Sequence, residues 1–125
     1  MHSGKKLPQV ELQASLSSAL AEMSEKGLGM TTIIDNEHKI CGIFTDGDLR
    51  RLIADKKSIV DLTVEDVMTK NPRTVTLNSP AYDALNMMEK HQITVLPITN
   101  TKGKVQGILH LHDILGKGEF KFNGT

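Results

Sequence analysis

The sequence predicts a mixed α/β chain made of two consecutive β-α-β-β-α units packed as a pseudo-twofold pair. Three observations carry that prediction. Short apolar runs of strand length alternate with stretches whose apolar residues recur at i, i+3, i+4. Residues 10–49 laid without a gap on residues 75–114 give ten identities in 40 pairs, at a constant offset of 65. Both copies also end on the same phrase, Gly-apolar-apolar-x-x-x-Asp, at Gly42 to Asp48 and at Gly107 to Asp113. Self-similarity of this kind marks an internal repeat.

Taken in order, Val10 to Leu12 reads as a short strand. From Ser15 the apolar residues Leu16, Ala19, Leu20 and Met23 fall on one helical face, and Gly27 supplies the stop. Met30 to Ile34 and Ile40 to Phe44 read as two strands joined by the turn Asp35-Asn36-Glu37-His38. Leu49, Leu52 and Ile53 then return to helical spacing. Thr63 and Asp66 stand in capping-box positions of a short connecting helix, which Asn71-Pro72 ends. In the second copy Val75 to Leu77 is a strand, Ser79 the N-cap and Pro80 the first helical residue. Ala81, Ala84, Leu85 and Met88 follow as its apolar face. Val95 to Thr99 and Val105 to His110 form the second strand pair, and Asp113-Ile114-Leu115 opens the last helix. Residues 1–62 are assigned to the first repeat and 63–125 to the connecting helix with the second. Met1-His2, Pro8 and Val10 stand roughly where Met68-Thr69, Pro72 and Val75 stand, so the chain is expected to begin inside a repeat boundary of something longer.

Composition narrows the function classes. The chain has 125 residues, with 15 Lys+Arg against 15 Asp+Glu, and its aromatic content is 3% with no Trp. No basic block or stacking platform for nucleic acid is present, so a charged ligand must be small and locally recognised. Cys41 is the only cysteine, which leaves no internal disulfide and no cysteine-built metal site. No apolar run approaches membrane-spanning length. A soluble, cytoplasmic setting fits these features. Walker, dinucleotide-binding, nucleophile-elbow and HExxH patterns are all absent.

The chemistry concentrates at Gly42 to Arg51, a strand feeding directly into a helix. That geometry sets free backbone N–H groups and the positive dipole end at the junction, a ready place for an anion. Thr45 adds a hydroxyl, Asp48 an acceptor for sugar hydroxyls, and Arg50 and Arg51 positive charge. The plainer reading is that Asp46 caps the helix and the arginines form a solvated face. The recurrence of Asp48 as Asp113 favours a ligand, because core packing gives a junction carboxylate no reason to recur. His110 and His112 alternate on the second strand and are expected on one face, as ligand-facing or half-buried polar residues rather than as metal ligands.

The repeat resembles a cystathionine β-synthase (CBS) domain pair over about residues 8–116. The runs Gly27-Leu28-Gly29-Met30-Thr31, Gly42 to Arg51 and Gly107 to Asp113 are further similar to the C-terminal CBS pair of D-arabinose 5-phosphate isomerases. The resemblance implies a regulatory module attached to its own sugar-isomerase domain, which is absent here, and a disc-like homodimer. It implies that Thr45 meets phosphate and Asp48 the ribose, with Asp113 matching in the second repeat, where His110 replaces the usual Thr or Ser. It also implies ligand contacts from Met30, Thr31, Val95 and Leu96. Pro97, which lacks an N–H, marks an edge position open to a ligand.

The expected function is therefore binding of a nucleotide-type effector, with no cofactor required and no catalysis by this chain. The activated sugar CMP-Kdo is the expected ligand, with AMP or ATP as runner-up. A cleft carrying Thr45, Asp46 and Asp48 on one side and His110 and Asp113 on the other would hold it. Arg50, Arg51, His110 or His112 would meet the sugar carboxylate. The alternative is a structural dimerisation module whose aspartates only cap helices.

Overall fold

The computed structural model describes residues 7–27, 29–55, 58 and 60–116, with the side chains of Asp113 and Leu115 outside the description. It divides into two compact units, one of residues 8–72 and one in which Leu7 groups with the chain from Arg73 onward.

In the first unit the order is β1 (Gln9–Glu11), α1 (Leu16–Lys26), β2 (Met30–Ile34), β3 (Ile40–Thr45), α2 (Asp46–Ala54), α3 (Val64–Val67) and β4 (Thr69–Lys70). Ser15 caps α1, its Oγ accepting the Ser18 N–H at 3.0 Å. Gly27 closes it at φ 67°, its N–H donating to the Met23 carbonyl. Glycine adopts that left-handed conformation without a Cβ penalty. The sheet runs β1-β2-β3-β4, parallel between β1 and β2 and antiparallel across the other two pairs. The apolar face of α1 (Leu16, Ala19, Met23) meets Ile33, Phe44, Leu52 and Val64 in one core.

Sequence grouping places the helix after Thr63 with the second repeat, but packing gives it to the first. Val64 is fully buried in the first core. The strand β4, invisible to periodicity because two residues carry none, pairs Lys70 with Gly42 and Thr69 with Ile43. Thr63 and Asp66 do form the expected capping box, Thr63 Oγ1 donating to Asp66 Oδ2 at 2.9 Å. Cys41 packs half-buried against the same core, its Sγ donating to the Ile33 carbonyl. Burial, then the Asp35 and Glu65 carboxylates, push its thiol pKa up.

The second unit contains α4 (Ala81–His91), β5 (Val95–Thr99), β6 (Val105–His110) and α5 (Leu111–Gly116). Val75, Ala84, Met88, Leu96, Ile98 and Ile114 form its core. The repeat identities Ala19/Ala84, Met23/Met88 and Ile33/Ile98 are thus core positions in both units. Two expectations shift here. The strand at Val75 to Leu77 shrinks to one parallel bridge between Val75 and Ile98. Pro80 rather than Ser79 is the N-cap, since Ser79 Oγ is taken by the Thr76 N–H at 3.1 Å.

The hairpin turns repeat one design. Asp35 Oδ1 accepts the N–H groups of Glu37 and Lys39 at 2.8 and 3.0 Å. Asn100 Oδ1 accepts those of Lys102 and Lys104 at 2.9 and 3.0 Å. Short polar side chains that bond their own turn hold such loops. Gly42 is the other fixed point, because a Cβ there would run into Met68 Sδ and lie 3.0 Å from the Thr69 carbonyl oxygen.

Two outcomes follow. Gly42→Ala should lower the stability of the chain by about 1–3 kcal/mol through overpacking, read by urea denaturation. The backbone N–H bonds from Lys39 and Glu37 hold the Asp35 pKa below its ordinary 3.8. A depressed carboxyl contributes stability that is present above its unfolded pKa and lost as pH falls through the folded one. Amide protection factors in the Asp35 turn, taken against intrinsic exchange, should therefore fall on acidification below about pH 4, while the Asn100 turn, with no titratable group in that place, keeps its protection.

Candidate functional site

The β3–α2 junction gathers five of the sequence-predicted residues. Thr45 is the N-cap of α2 at φ −123° and ψ 167°, and Asp48 is its third helical residue. Together they form a reciprocal capping box. The Asp48 N–H donates to Thr45 Oγ1 at 3.2 Å, while Asp48 Oδ2 accepts the Thr45 N–H at 2.9 Å and the Thr45 hydroxyl at 3.1 Å. The cap is therefore Thr45, not Asp46. Asp46 is exposed in the first turn, its N–H bonded to the Gly29 carbonyl at 3.0 Å. The recurrence of Asp48 also has a structural reason after all, at least in this copy, because the carboxylate closes a cap.

Asp48 is only 7% exposed and is the one buried charged side chain among the described residues. Burial without partners would be costly, and partners are supplied. Arg51 donates a hydrogen bond to Oδ1. Thr69, from β4, donates its hydroxyl to the same carboxylate at 3.3 Å from Oδ1 and 3.4 Å from Oδ2. Sequence reasoning did not find Thr69; its only signal was the resemblance of Met68-Thr69 to the opening of the chain.

Gly47 lies within the Gly42 to Arg51 run, and it matters by what it leaves open. A Cβ at Gly47 would meet Arg51 Nη1 and Thr45 Oγ1 at 3.6 Å and Arg50 Nη2 at 4.0 Å. Two guanidinium groups, a hydroxyl and the head of a nine-residue helix therefore converge around one missing side chain. Such a convergence suits an anion. Met30 begins β2 directly opposite Thr45, and Thr31 lies opposite Phe44. Both are fully buried.

In the second unit, Val95, Leu96 and Pro97 pair with His110, Leu109 and Ile108. Pro97 does face an edge: its carbonyl accepts the Val75 N–H at 3.0 Å, so its missing N–H lies on the side where β5 has only that bridge. It is nonetheless among the fully buried residues, so the edge is covered rather than open. His110 ends β6 and His112 lies in α5, so the two do not alternate on one strand. The first turn of α5 brings them together instead. Their rings stack at 5.1 Å and 14°, and the His112 N–H donates to His110 Nδ1 at 3.2 Å. His110 thus occupies the place of Thr45, with an imidazole nitrogen as the acceptor at the helix head. The Asp113 side chain lies outside the described residues. Among those residues, no group of three His, Cys, Asp or Glu could hold a metal ion. No helix among them is long and apolar enough to cross a membrane.

A β-α-β-β-α unit with a saturated capping carboxylate at its strand–helix junction, followed by a second copy whose first strand is reduced to one bridge, defines a tandem-repeat α/β module. The chain belongs to the CBS domain family, whose model matches residues 4–55 and 64–118. It is 43% identical over 118 residues to arabinose 5-phosphate isomerase KdsD of Pseudomonas aeruginosa, covering 94% of this chain and 36% of that relative. The chain thus spans little more than a third of the curated relative. Among solved structures it is similar to CBSX2 in complex with AMP, at 25% identity and TM-score 0.81, covering 95% and 92% of the two chains. The CBS domain pair of protein MJ0100, in complex with 5′-methylthioadenosine and S-adenosyl-L-methionine, also matches at 25% identity and TM-score 0.81, covering 94% and 93%.

The junction chemistry makes a stability prediction that needs no ligand. Asp48→Ala removes the cap acceptor and strands the Thr45 N–H, so it should cost about 1–3 kcal/mol. Urea denaturation measures it, and a loss below a few tenths of a kcal/mol would contradict the cap.

Proposed function

We propose that this chain is the regulatory, nucleotide-binding CBS pair of an arabinose 5-phosphate isomerase, and that isomerisation belongs to a sugar-isomerase domain outside it. The observation that carries the reading is that two solved structures matching more than nine tenths of this chain, CBSX2 and the MJ0100 CBS pair, are complexed with adenosine-type ligands. The extent of the match to the isomerase supports the assignment of the parent enzyme. The geometry around Gly47 supports an anionic ligand, with Thr45, Arg50 and Arg51 meeting a phosphate or a sugar carboxylate and Asp48 meeting ribose hydroxyls. An adenosine nucleotide fits that arrangement, and so does the nucleotide sugar CMP-Kdo, whose carboxylate would use the second arginine. In the second unit His110 and Asp113 are the corresponding residues, and Met30, Val95 and Leu96 supply apolar contacts beside the polar Thr31. A homodimer is the assembly that the family resemblance implies.

The test is calorimetric titration of the chain with AMP, ATP, CMP and CMP-Kdo. At least one should bind, and Asp48→Ala should weaken it by about 1.5–3 kcal/mol, a factor of roughly 10 to 150. Arg50→Ala should weaken the phosphorylated ligands and leave adenosine unchanged. If none binds wild type at millimolar concentration, the module is a structural one whose aspartates only cap helices.

A further inference from the structure

We infer that Thr69 is a positioning residue that a bound nucleotide must displace, so that occupancy of the first-unit site releases β4 from the head of α2. The inference rests on the nucleotide reading above and adds to it a residue from outside the Thr45–Asp48 motif. An ionised carboxylate accepts about four hydrogen bonds. Asp48 already receives four donors from its own chain: the Thr45 N–H, the Thr45 hydroxyl, Arg51 and the Thr69 hydroxyl. A ribose hydroxyl can therefore bond Asp48 only by replacing one of them.

The donors are not equivalent. The two from Thr45 belong to the capping box, and losing either undoes the start of the helix. Arg51 makes a charge-assisted bond, the stronger kind. Thr69 makes the longest contacts, divided between both oxygens at 3.3 and 3.4 Å, from an exposed residue. It is the donor that gives way at least cost. Its strand has little else to hold it, since β4 is two residues long and registers only against Gly42 and Ile43. Lengthening or breaking the Thr69 bond thus loosens the segment that leads from α3 toward Arg73. Thr69 in this way links ligand occupancy to the connector between the units.

The experiment compares wild type, Thr69→Val and Thr69→Ser by calorimetry with AMP and with 2′,3′-dideoxy-AMP. Valine keeps the β-branched shape and removes the competing hydroxyl; serine keeps the hydroxyl. Thr69→Val should bind AMP about three- to tenfold tighter, with dideoxy-AMP unchanged and Thr69→Ser like wild type. A merely structural role would move both ligands together. Equal or weaker AMP binding by Thr69→Val overturns the inference while leaving the nucleotide reading standing. Wild type that binds neither ligand overturns displacement and the reading together. A double-mutant cycle of Thr69→Val with Asp48→Asn in urea, without ligand, tests the tether by itself. Non-additive effects support it, and additive effects overturn it.

Discussion

A charged group at 7% exposure imposes a condition that the first unit is arranged to meet. Asp48 must keep its oxygens occupied, and the elements around it are placed so that they are. The strand β3 ends one residue before the helix, which sets the Thr45 backbone N–H and hydroxyl against Oδ2. The next turn of α2 brings Arg51 back over Oδ1. The connector returns along β3 as β4 and adds Thr69. Gly42 is what lets that return come so close. Capping, the β3–β4 pairing and the connector thus all meet at one carboxylate.

The two units show how far a repeat can diverge while its fold is kept. The conserved pairs Ala19/Ala84, Met23/Met88 and Ile33/Ile98 are core contacts, where volume is constrained. The turns keep their acceptor, Asp35 in one and Asn100 in the other. Left-handed positions recur too, at Gly27 and His38 in the first unit and at Gln92 and Gly103 in the second. Each unit places its glycine at one of the two sites and tolerates a side chain at the other. The junction differs most, with Thr45 against His110 and Asp46 against Leu111, so the chemistry of the two helix heads is not interchangeable.

Most of the fold was legible in the sequence because period and punctuation agreed. The face Leu16, Ala19, Met23, the stop at Gly27 and the Asp35 turn each follow from a local rule. What stayed hidden depends on contacts distant in sequence. A two-residue strand carries no pattern, so β4 and the attachment of α3 to the first core could not be read. Ser79 looks like an N-cap until Thr76 claims its oxygen. At the site, the residue types at Thr45 and Asp48 pointed to a hydroxyl and a carboxylate acting together. Their mutual capping is a local pattern that was available but was attributed to Asp46. Thr69 lies 21 residues from Asp48 and had no local signal.

The division of the chain bears on the order in which it can fold. The first unit is a single unbroken stretch, 8–72, and it closes on itself once Lys70 has been added. All of its elements have therefore been synthesised before the second unit's own stretch begins. The second unit groups Leu7, from before the first unit, with residues that begin at Arg73. Bringing those together closes a loop of more than 60 residues, and the entropy of that closure grows with length. Once the first unit is formed, its two ends are fixed beside β1 and β4, at opposite edges of its sheet. Completing residues 8–72 therefore removes the conformational freedom of that long loop before Leu7 and the chain from Arg73 are brought together.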